Sequence, residues 1–270
     1  MSIVSLKQIL VKRLHASAKD GKWHEERTNV AVEAPLTIDI EGVGSYTALC
    51  SPDDRRALAV GLMLSEGMIE GTDDFVFLPD GEDRPEIIHV RLIREREKSV
   101  SVPERNLLIT SSCGICGSAD DQDRISALPR VGNTLHIDAA QIHHVMYLLQ
   151  DHQIVYKESG GTHAILIFDG EGNAISFAED IGRHNALDKA IGKSLLSGRA
   201  VRGCGAVFSG RVSFEMVAKC SKAGIEMILA VSAPTSLALD AASHCGITLC
   251  AFVRNGGATL YTHPDRINRF

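Results

Sequence analysis

No run of apolar residues in this 270-residue sequence approaches the ~20 needed to span a bilayer, so membrane insertion is not expected. The opening residues mix Lys7, Lys12 and Arg13 with short apolar runs. They lack a continuous apolar core followed by a small-residue cleavage site, so no export signal is read there. An excess of positive charge is also missing: 28 Lys and Arg face 34 Asp and Glu, for a net charge of −6. That balance gives no overall drive toward a nucleic-acid polymer or an anionic membrane, and an anionic ligand must be held by a local site. Internal repeats and low-complexity tracts are absent. So is a dense disulfide framework of the kind small secreted domains carry. The seven cysteines, Cys50, Cys113, Cys116, Cys204, Cys220, Cys245 and Cys250, are an odd and scattered set. Reduced thiols and a cytoplasmic location are the expectation, with the isolated cysteines read as small buried hydrophobes.

What is present is an ordinary globular composition, 44% hydrophobic and 23% charged, long enough for one large domain or two modest ones. Residues 1–27 are polar and lack periodicity, whereas 29–40 alternate apolar and polar side chains as a half-buried strand does. Asp53 is a plausible cap for a helix whose stripe includes Leu58, Leu62 and Met68, ending at Gly67 or Gly71. Residues 87–93 read as a strand, and 105–110 lead into a glycine-flanked loop holding Cys113 and Cys116. Asp138 caps a second helix with Ile142, Val145, Met146 and Leu149 on its apolar face. A boundary near 130–137 divides an N-terminal domain, 28–134, from a C-terminal one, 135–270, with 1–27 as an extension. In the second half a hairpin over 164–177 precedes helices at 185–196, 214–223 and 234–244. These alternate with strands at 205–208, 226–231 and 247–253. That rhythm predicts an α/β domain with a largely parallel, helix-covered sheet.

Ligands of such sheets bind beyond the carboxyl ends of the strands. Three strand exits there carry ligand-type residues. The first, Ser209, Gly210, Arg211, Val212 and Ser213, offers backbone N–H groups, hydroxyls and a guanidinium to an anion. The second, at 232–236, puts Ser232 or Ala233 near a helix cap with Pro234 in the first turn, which simple capping explains equally well. The third joins Phe252, Val253, Arg254, Asn255, Gly256 and Gly257, an aromatic, a cation and an amide beside flexible residues, suited to a nucleotide or to a solvated turn. Residues 180–189 pack five ionisable side chains around Gly182, with Arg183 and His184 available for anion contact or proton transfer, or else forming a charged helix surface. Glycines 160 and 161 before His163 permit close ligand approach.

Cys113-Gly-Ile-Cys116 is the sharpest reactive feature. Its spacing serves structural zinc, dithiol redox work, metal delivery or sulfur transfer. Zinc would need a second ligand pair, and Cys245 with Cys250 supplies one only if Cys250 leaves an apparent strand; no metal is expected. A thioredoxin-type site would sit at a strand-to-helix start, which the surrounding sequence does not provide. A zinc deaminase needs His-x-Glu upstream of its cysteine pair. Here His163 is followed by Ala164 and Ile165, and the pair lies upstream. Spacing alone leaves sulfur transfer no higher than redox chemistry.

Several blocks together resemble the formate dehydrogenase accessory protein family, often called FdhD. They are 58–67, the loop 111–117, residues 160–164, 179–189, 209–216 and 232–237, in order within about residues 30–262. The resemblance implies that a cysteine desulfurase loads a persulfide on Cys113, with Cys116 the second loop cysteine. The sulfur then passes to a molybdenum cofactor, Mo-bis(molybdopterin guanine dinucleotide), before its insertion into formate dehydrogenase. It also implies a homodimer and a cofactor-binding segment on residues 252–257, one of the strand exits already picked out. For the fold it implies a cytidine deaminase-like three-layer C-terminal domain beside a smaller, strand-rich N-terminal one. The contrasting reading is a noncatalytic cofactor chaperone. In either case Ser209, Gly210, Arg211, Arg183 and His184 are the further candidates for holding the cofactor.

Overall fold

Leu36, Ile38 and Ile40 turn one face of β3 (Ala34–Ile40) into the core, each almost wholly buried, as the period-2 pattern requires. The computed structural model describes residues 4–14, 23–79, 86–93, 107–109, 121–254 and 256–268. β3 pairs antiparallel with β4 (Gly44–Cys50) and parallel with β6 (Ile87–Leu92). With β5 (Phe75–Phe77) and β7 (Leu107–Ile109) they form a five-stranded sheet in the order β5-β6-β3-β4-β7. The strand expected at 29–40 is two strands. Residues 32 and 33 break it ahead of Pro35, and its first part belongs to a separate hairpin of β1 (Leu6–Leu14) and β2 (Trp23–Ala31). Ordered structure therefore begins before residue 29. The polar 1–27 segment hid this because β1 and the start of β2 bury no continuous apolar face.

Helix α1 (Arg55–Ser65) packs on α5 (Arg183–Leu196) so closely that two glycines are obligatory. A Cβ at Gly61 would lie 1.8 Å from the Asp188 carbonyl oxygen, and one at Gly192 would lie 1.9 Å from that of Ala57. Gly in a helix interior costs roughly 1 kcal/mol in propensity; here it is what lets the backbones touch. After α2 (Asp121–Ser126), Asp138 caps α3 (Ala139–His152) as expected. Its carboxylate accepts from the Gln141 N–H at 2.8 Å, and the Gln141 side chain accepts from the Asp138 N–H at 2.9 Å. That reciprocal pair satisfies two donors at the helix start. The short α4 (Ile154–Ser159) follows.

The second sheet has six strands in the order β13-β12-β11-β10-β8-β9. β8 (His163–Phe168) and β9 (Ala174–Asp180) are the expected hairpin, turned by Asp169, whose carboxylate accepts from the N–H groups of Glu171 and Asn173. β10 (Gly205–Phe208), β11 (Met227–Ala230) and β12 (Thr248–Arg254) run parallel to one another. β8 and β13 (Gly257–Thr262) flank them antiparallel, so the sheet is mixed rather than largely parallel. Alternation along these strands feeds two cores. Ile165, Ala206, Phe208, Ile228 and Leu249 face α5, α6 (Phe214–Ala223) and α7 (Ser236–Cys245). Leu166, Phe168, Val207, Leu229 and Cys250 face Ile142, Val145 and Leu149 of α3. Helices thus cover both faces. The first core is continuous through Leu58 and Met63 of α1 into β3.

Candidate functional site

The three exits come together at one edge of the second sheet, laced by main-chain bonds. The Ser209 N–H donates to the Ala164 carbonyl at 3.0 Å, and the Ala164 N–H returns a 2.8 Å bond to the Ser209 hydroxyl. The Val212 N–H donates to Ala233, the Thr235 N–H donates to Val212, and the Phe252 N–H lies 3.5 Å from the Ser232 carbonyl. Helix α7 starts later than its sequence pattern suggests. Thr235 is the cap, accepting from the Ala238 N–H at 3.3 Å. Ser232, Ala233 and Pro234 are thereby freed from capping and line the edge as irregular backbone.

Phe252 holds φ at +53°, in the left-handed region that costs a side-chain-bearing residue about 1–2 kcal/mol. A break in the β12–β13 register between Ala251 and Arg254 accommodates it. The result turns the Phe252 ring outward, with the Arg254 guanidinium 5.9 Å from its centroid, within cation–π reach. Val253, by contrast, is buried in the core, so only its backbone can meet a ligand. Gly256 is also left-handed, at φ +78°. Asn255 lies outside the described residues, as do Cys113 and Cys116.

Arg183 and His184 open α5 at the same edge, immediately after β9. Their loop is pinned from below. The buried Asp180 carboxylate pairs with Lys189 at 2.6 Å, accepts from the Gly182 N–H and the Asn185 amide, and takes the Ser51 N–H at 2.9 Å. Lys189 donates to the Ser51 carbonyl and Asn185 to that of Leu49. Much of the charge density at 180–189 is therefore structural, spent on docking α5 against the end of β4. Arg183 and His184 differ: Arg183 Nε and His184 Nε2 are buried with no hydrogen-bond partner among the described residues. Buried polar groups are normally paired, and such orphans mark a place where a ligand can complete the set.

Burial, then the neighbouring Arg183 and Lys219, pushes the His184 pKa down to about 4. The ring is neutral at physiological pH. His163 is lowered too, by burial and then by Arg183 and Arg211. Burial works to raise the Glu215 pKa, but the Ser213 hydroxyl, its own backbone N–H, the His184 ring when protonated and the Arg183 cation outweigh it, and the net shift is downward. Behind them Lys219 is held by Ser65 at 2.7 Å and Asp188 at 2.8 Å, with Glu66 at 3.7 Å. Sequence reading passed over Lys219, Asp188 and Ser65 as site supports, since nothing in spacing joins positions on α1, α5 and α6. Beside the first exit lies a cavity of about 600 Å³, bounded by α3, α4, residues 160–163 and Ser209.

The five described cysteines are a different population. Cys50, Cys204, Cys220, Cys245 and Cys250 are all buried, and burial raises every one, Cys50 and Cys204 to about 11 and Cys250 to about 12. None is a thiolate near neutral pH, the state that sulfur nucleophiles need.

A mixed sheet covered on both faces, with orphaned guanidinium and imidazole nitrogens near the end where its parallel strands finish, defines an α/β protein. Residues 31–268 match the model of the FdhD/NarQ family. The chain belongs to that family. It is 36% identical over 261 residues to a "Sulfur carrier protein FdhD" of Thermoplasma acidophilum, covering 94% of this chain and 92% of that one. To the protein of the same name from Saccharolobus solfataricus it is 34% identical, with 96% and 99% covered. A solved structure described as a formate dehydrogenase accessory protein, from Desulfotalea psychrophila, has the same fold. The TM-score is 0.74 at 23% identity, covering 97% of this chain and 99% of that one. Among the described residues no helix is long and apolar enough to cross a membrane.

Proposed function

We propose that this chain is a sulfur carrier. Cys113 accepts persulfide sulfur from a cysteine desulfurase, and the sulfur goes to a bis(molybdopterin guanine dinucleotide) molybdenum cofactor before its insertion into formate dehydrogenase. The relatives bearing the sulfur-carrier name support the class of activity. The observation that carries the cargo reading is the pair of buried, unpartnered nitrogens, Arg183 Nε and His184 Nε2, in a setting where the charges of Arg183 and Arg211 both act on His163. A guanidinium matches phosphate in geometry and charge. Phe252 and Arg254 supply an outward ring and a second cation for a purine at the neighbouring exit. We read the covered six-stranded sheet as the cytidine deaminase-like three-layer domain, and the protein as a cytoplasmic homodimer.

In the loading step the Cys113 thiolate attacks the terminal sulfur of the desulfurase persulfide. A new S–S bond gives Cys113–S–SH, and the desulfurase leaves as its thiolate. In the release step the Cys116 thiolate attacks the Cys113 Sγ, forming a Cys113–Cys116 disulfide and expelling hydrosulfide to the acceptor. The two electrons carried off by hydrosulfide come from the two thiols, so a thiol reductant must restore the loop. The raised pKa values of the five buried cysteines favour placing this chemistry on Cys113 and Cys116.

The test is incubation of the reduced protein with a cysteine desulfurase and cysteine, followed by mass spectrometry of alkylated peptides. A gain of one sulfur on the Cys113 peptide, absent from Cys113→Ala, is expected. Cys113→Ala should still bind the cofactor. An unmodified loop in folded protein that binds cofactor normally would instead identify a noncatalytic chaperone.

A further inference from the structure

The hairpin of β1 and β2 takes no part in the chemistry proposed above. It is a sheet of its own, two strands of nine residues each, an arrangement that is marginal in water without further strands or a covering helix. Its base is tied down. Ser5 bonds Asp53, the Val32 N–H donates to the Ser5 carbonyl at 2.9 Å, and the Asn29 amide donates to Glu158 of α4 at 3.0 Å. Its far half is bare: Leu10, Leu14 and Trp23 are 64%, 48% and 62% exposed, and Trp23 is the one tryptophan of the chain.

The register shows which way these groups point. Leu10 lies opposite Arg27, Lys12 opposite Glu25, and Leu14 opposite Trp23. All six side chains therefore share one face, the face on which Asn29 meets α4, and that face runs on past the helix into the open. The edge of β2 is open as well. The bond from Val32 to Ser5 makes the even-numbered β2 residues the hydrogen-bonded partners of β1, which turns the N–H and C=O groups of Trp23, Glu25, Arg27 and Asn29 outward. Among the described residues no strand pairs with that edge. An unpaired edge beside exposed apolar side chains is a template for another strand.

We propose that the hairpin is the arm by which two copies of this chain join, β2 against β2, antiparallel about a two-fold axis at Glu26. The inference rests on the homodimer proposed above and is independent of the sulfur chemistry. Charge selects both strand and register. β1 carries Lys7, Lys12 and Arg13 and no acid, so pairing it with itself opposes no unlike charges. With β2 centred on Glu26, Glu25 faces the partner's Arg27 and Arg27 faces the partner's Glu25, two opposite-charge pairs on the open face. Centring on residue 25 or 27 instead sets like charges opposite each other. Glu26 meets its own copy, but each Glu26 is already paired with Arg13 at 2.7 Å. Trp23 then comes opposite the partner's Asn29 and so against the partner's α4, where Ile154 is itself 56% exposed. Four strands replace two, and because the same edge is used by both copies the contact closes on itself.

The experiment is analytical ultracentrifugation of the full-length protein over a dilution series, with tryptophan fluorescence read on the same samples and each variant shown by thermal melting to be folded. Wild type is expected to dimerise, its emission moving to the blue as dimer forms, because Trp23 passes from water to the partner's α4. Arg27→Glu turns both cross-arm pairs into like-charge pairs and should weaken the dimer about tenfold. The charge-swapped double variant, Glu25→Arg with Arg27→Glu, should recover most of that loss; a double variant as weak as the single one overturns the register. A dimer that Arg27→Glu leaves unchanged, with Trp23 still in water, overturns the arm and keeps the homodimer on another surface. A wild-type monomer overturns both. If Trp23 of that monomer shifts only when a cysteine desulfurase is added, the occupant of the arm is that protein and not a second copy.

Discussion

The two edges of the six-stranded sheet both bury polar and charged groups, and they treat them differently. At the edge where the parallel strands begin, the Glu226 carboxylate accepts from the N–H groups of Thr134 and Leu135 at 2.7 and 2.8 Å and from the Thr134 hydroxyl at 3.0 Å. Arg266 Nε lies 3.5 Å from it, an ion pair without a hydrogen bond, while the other guanidinium nitrogens donate to Thr248 at 3.0 Å and to the Gly132 carbonyl. One anion and one cation there tie together residues 132–135, two sheet strands and the C-terminal turn. At the edge where the same strands end, Arg183 and His184 keep buried nitrogens without partners. At the first edge a counter-charge faces the one nitrogen that lacks a hydrogen bond, whereas Arg183 Nε and the neutral His184 Nε2 carry a burial cost that the proposed ligand would offset.

The sharpest way to break this contrast is to remove Glu226. Leaving Arg266 and the Thr134 and Leu135 donors buried without their acceptor should cost about 3–5 kcal/mol. Urea unfolding should register that loss, while pyrophosphate affinity at the opposite edge stays within a factor of two, a limit of roughly 0.4 kcal/mol. A loss of stability under about 1 kcal/mol would mean that the two edges do not differ as described.

Acid should act at the opposite edge, where ligand binding is proposed. His184 titrates at about 4 in the folded chain against about 6.5 when unfolded. Between those values the unfolded state binds more protons, so stability falls as pH drops through the window and levels off below it. The full difference is about 3 kcal/mol. A His184→Asn variant should lose that dependence, and the wild-type ring should show its NMR midpoint near 4. A midpoint near 6.5 would return His184 to the class of ordinary exposed histidines. Below the midpoint the protonated ring adds to the cationic edge, so phosphate should then bind more tightly for as long as the fold survives.

Most of the paired structure was legible beforehand, because periodicity and capping are local. Asp138 with Gln141, the Asp169 turn and the stripe on α3 all lie within a few residues of one another. What depended on distant partners was less legible. The hairpin of β1 and β2 went unread because its strands gain order from each other rather than from a buried apolar face. The sheet looked largely parallel because apolar runs of strand length carry no direction, and β8 and β13 reverse it. At the site, the glycine and arginine exits were visible as residue types beyond strand ends. The division of 180–189 into a structural Asp180–Lys189 pair and an orphaned Arg183–His184 pair was not, since it turns on Ser51 and Leu49, over a hundred positions away. Val253 shows the same limit in reverse: a residue inside a candidate binding segment proves to point into the core.

Phe252 offers the smallest effect and the finest test of whether the ligand edge stores strain. Alanine normally stabilises relative to glycine by about 0.4–1 kcal/mol, because it restricts the unfolded chain. At φ +53° the order should invert. Both Phe252→Ala and Phe252→Gly lose the ring and its stacking partner Arg254, but only alanine keeps the left-handed penalty of about 1–2 kcal/mol. Subtracting the two variants therefore cancels the ring and leaves the backbone: glycine should be the more stable by up to about 1 kcal/mol. Both variants should bind a purine nucleoside diphosphate more weakly than wild type, by the same factor if the ring is the contact. If alanine is the more stable of the two, the backbone at 252 relaxes without difficulty, and the outward ring is a surface accident rather than a position held for a ligand.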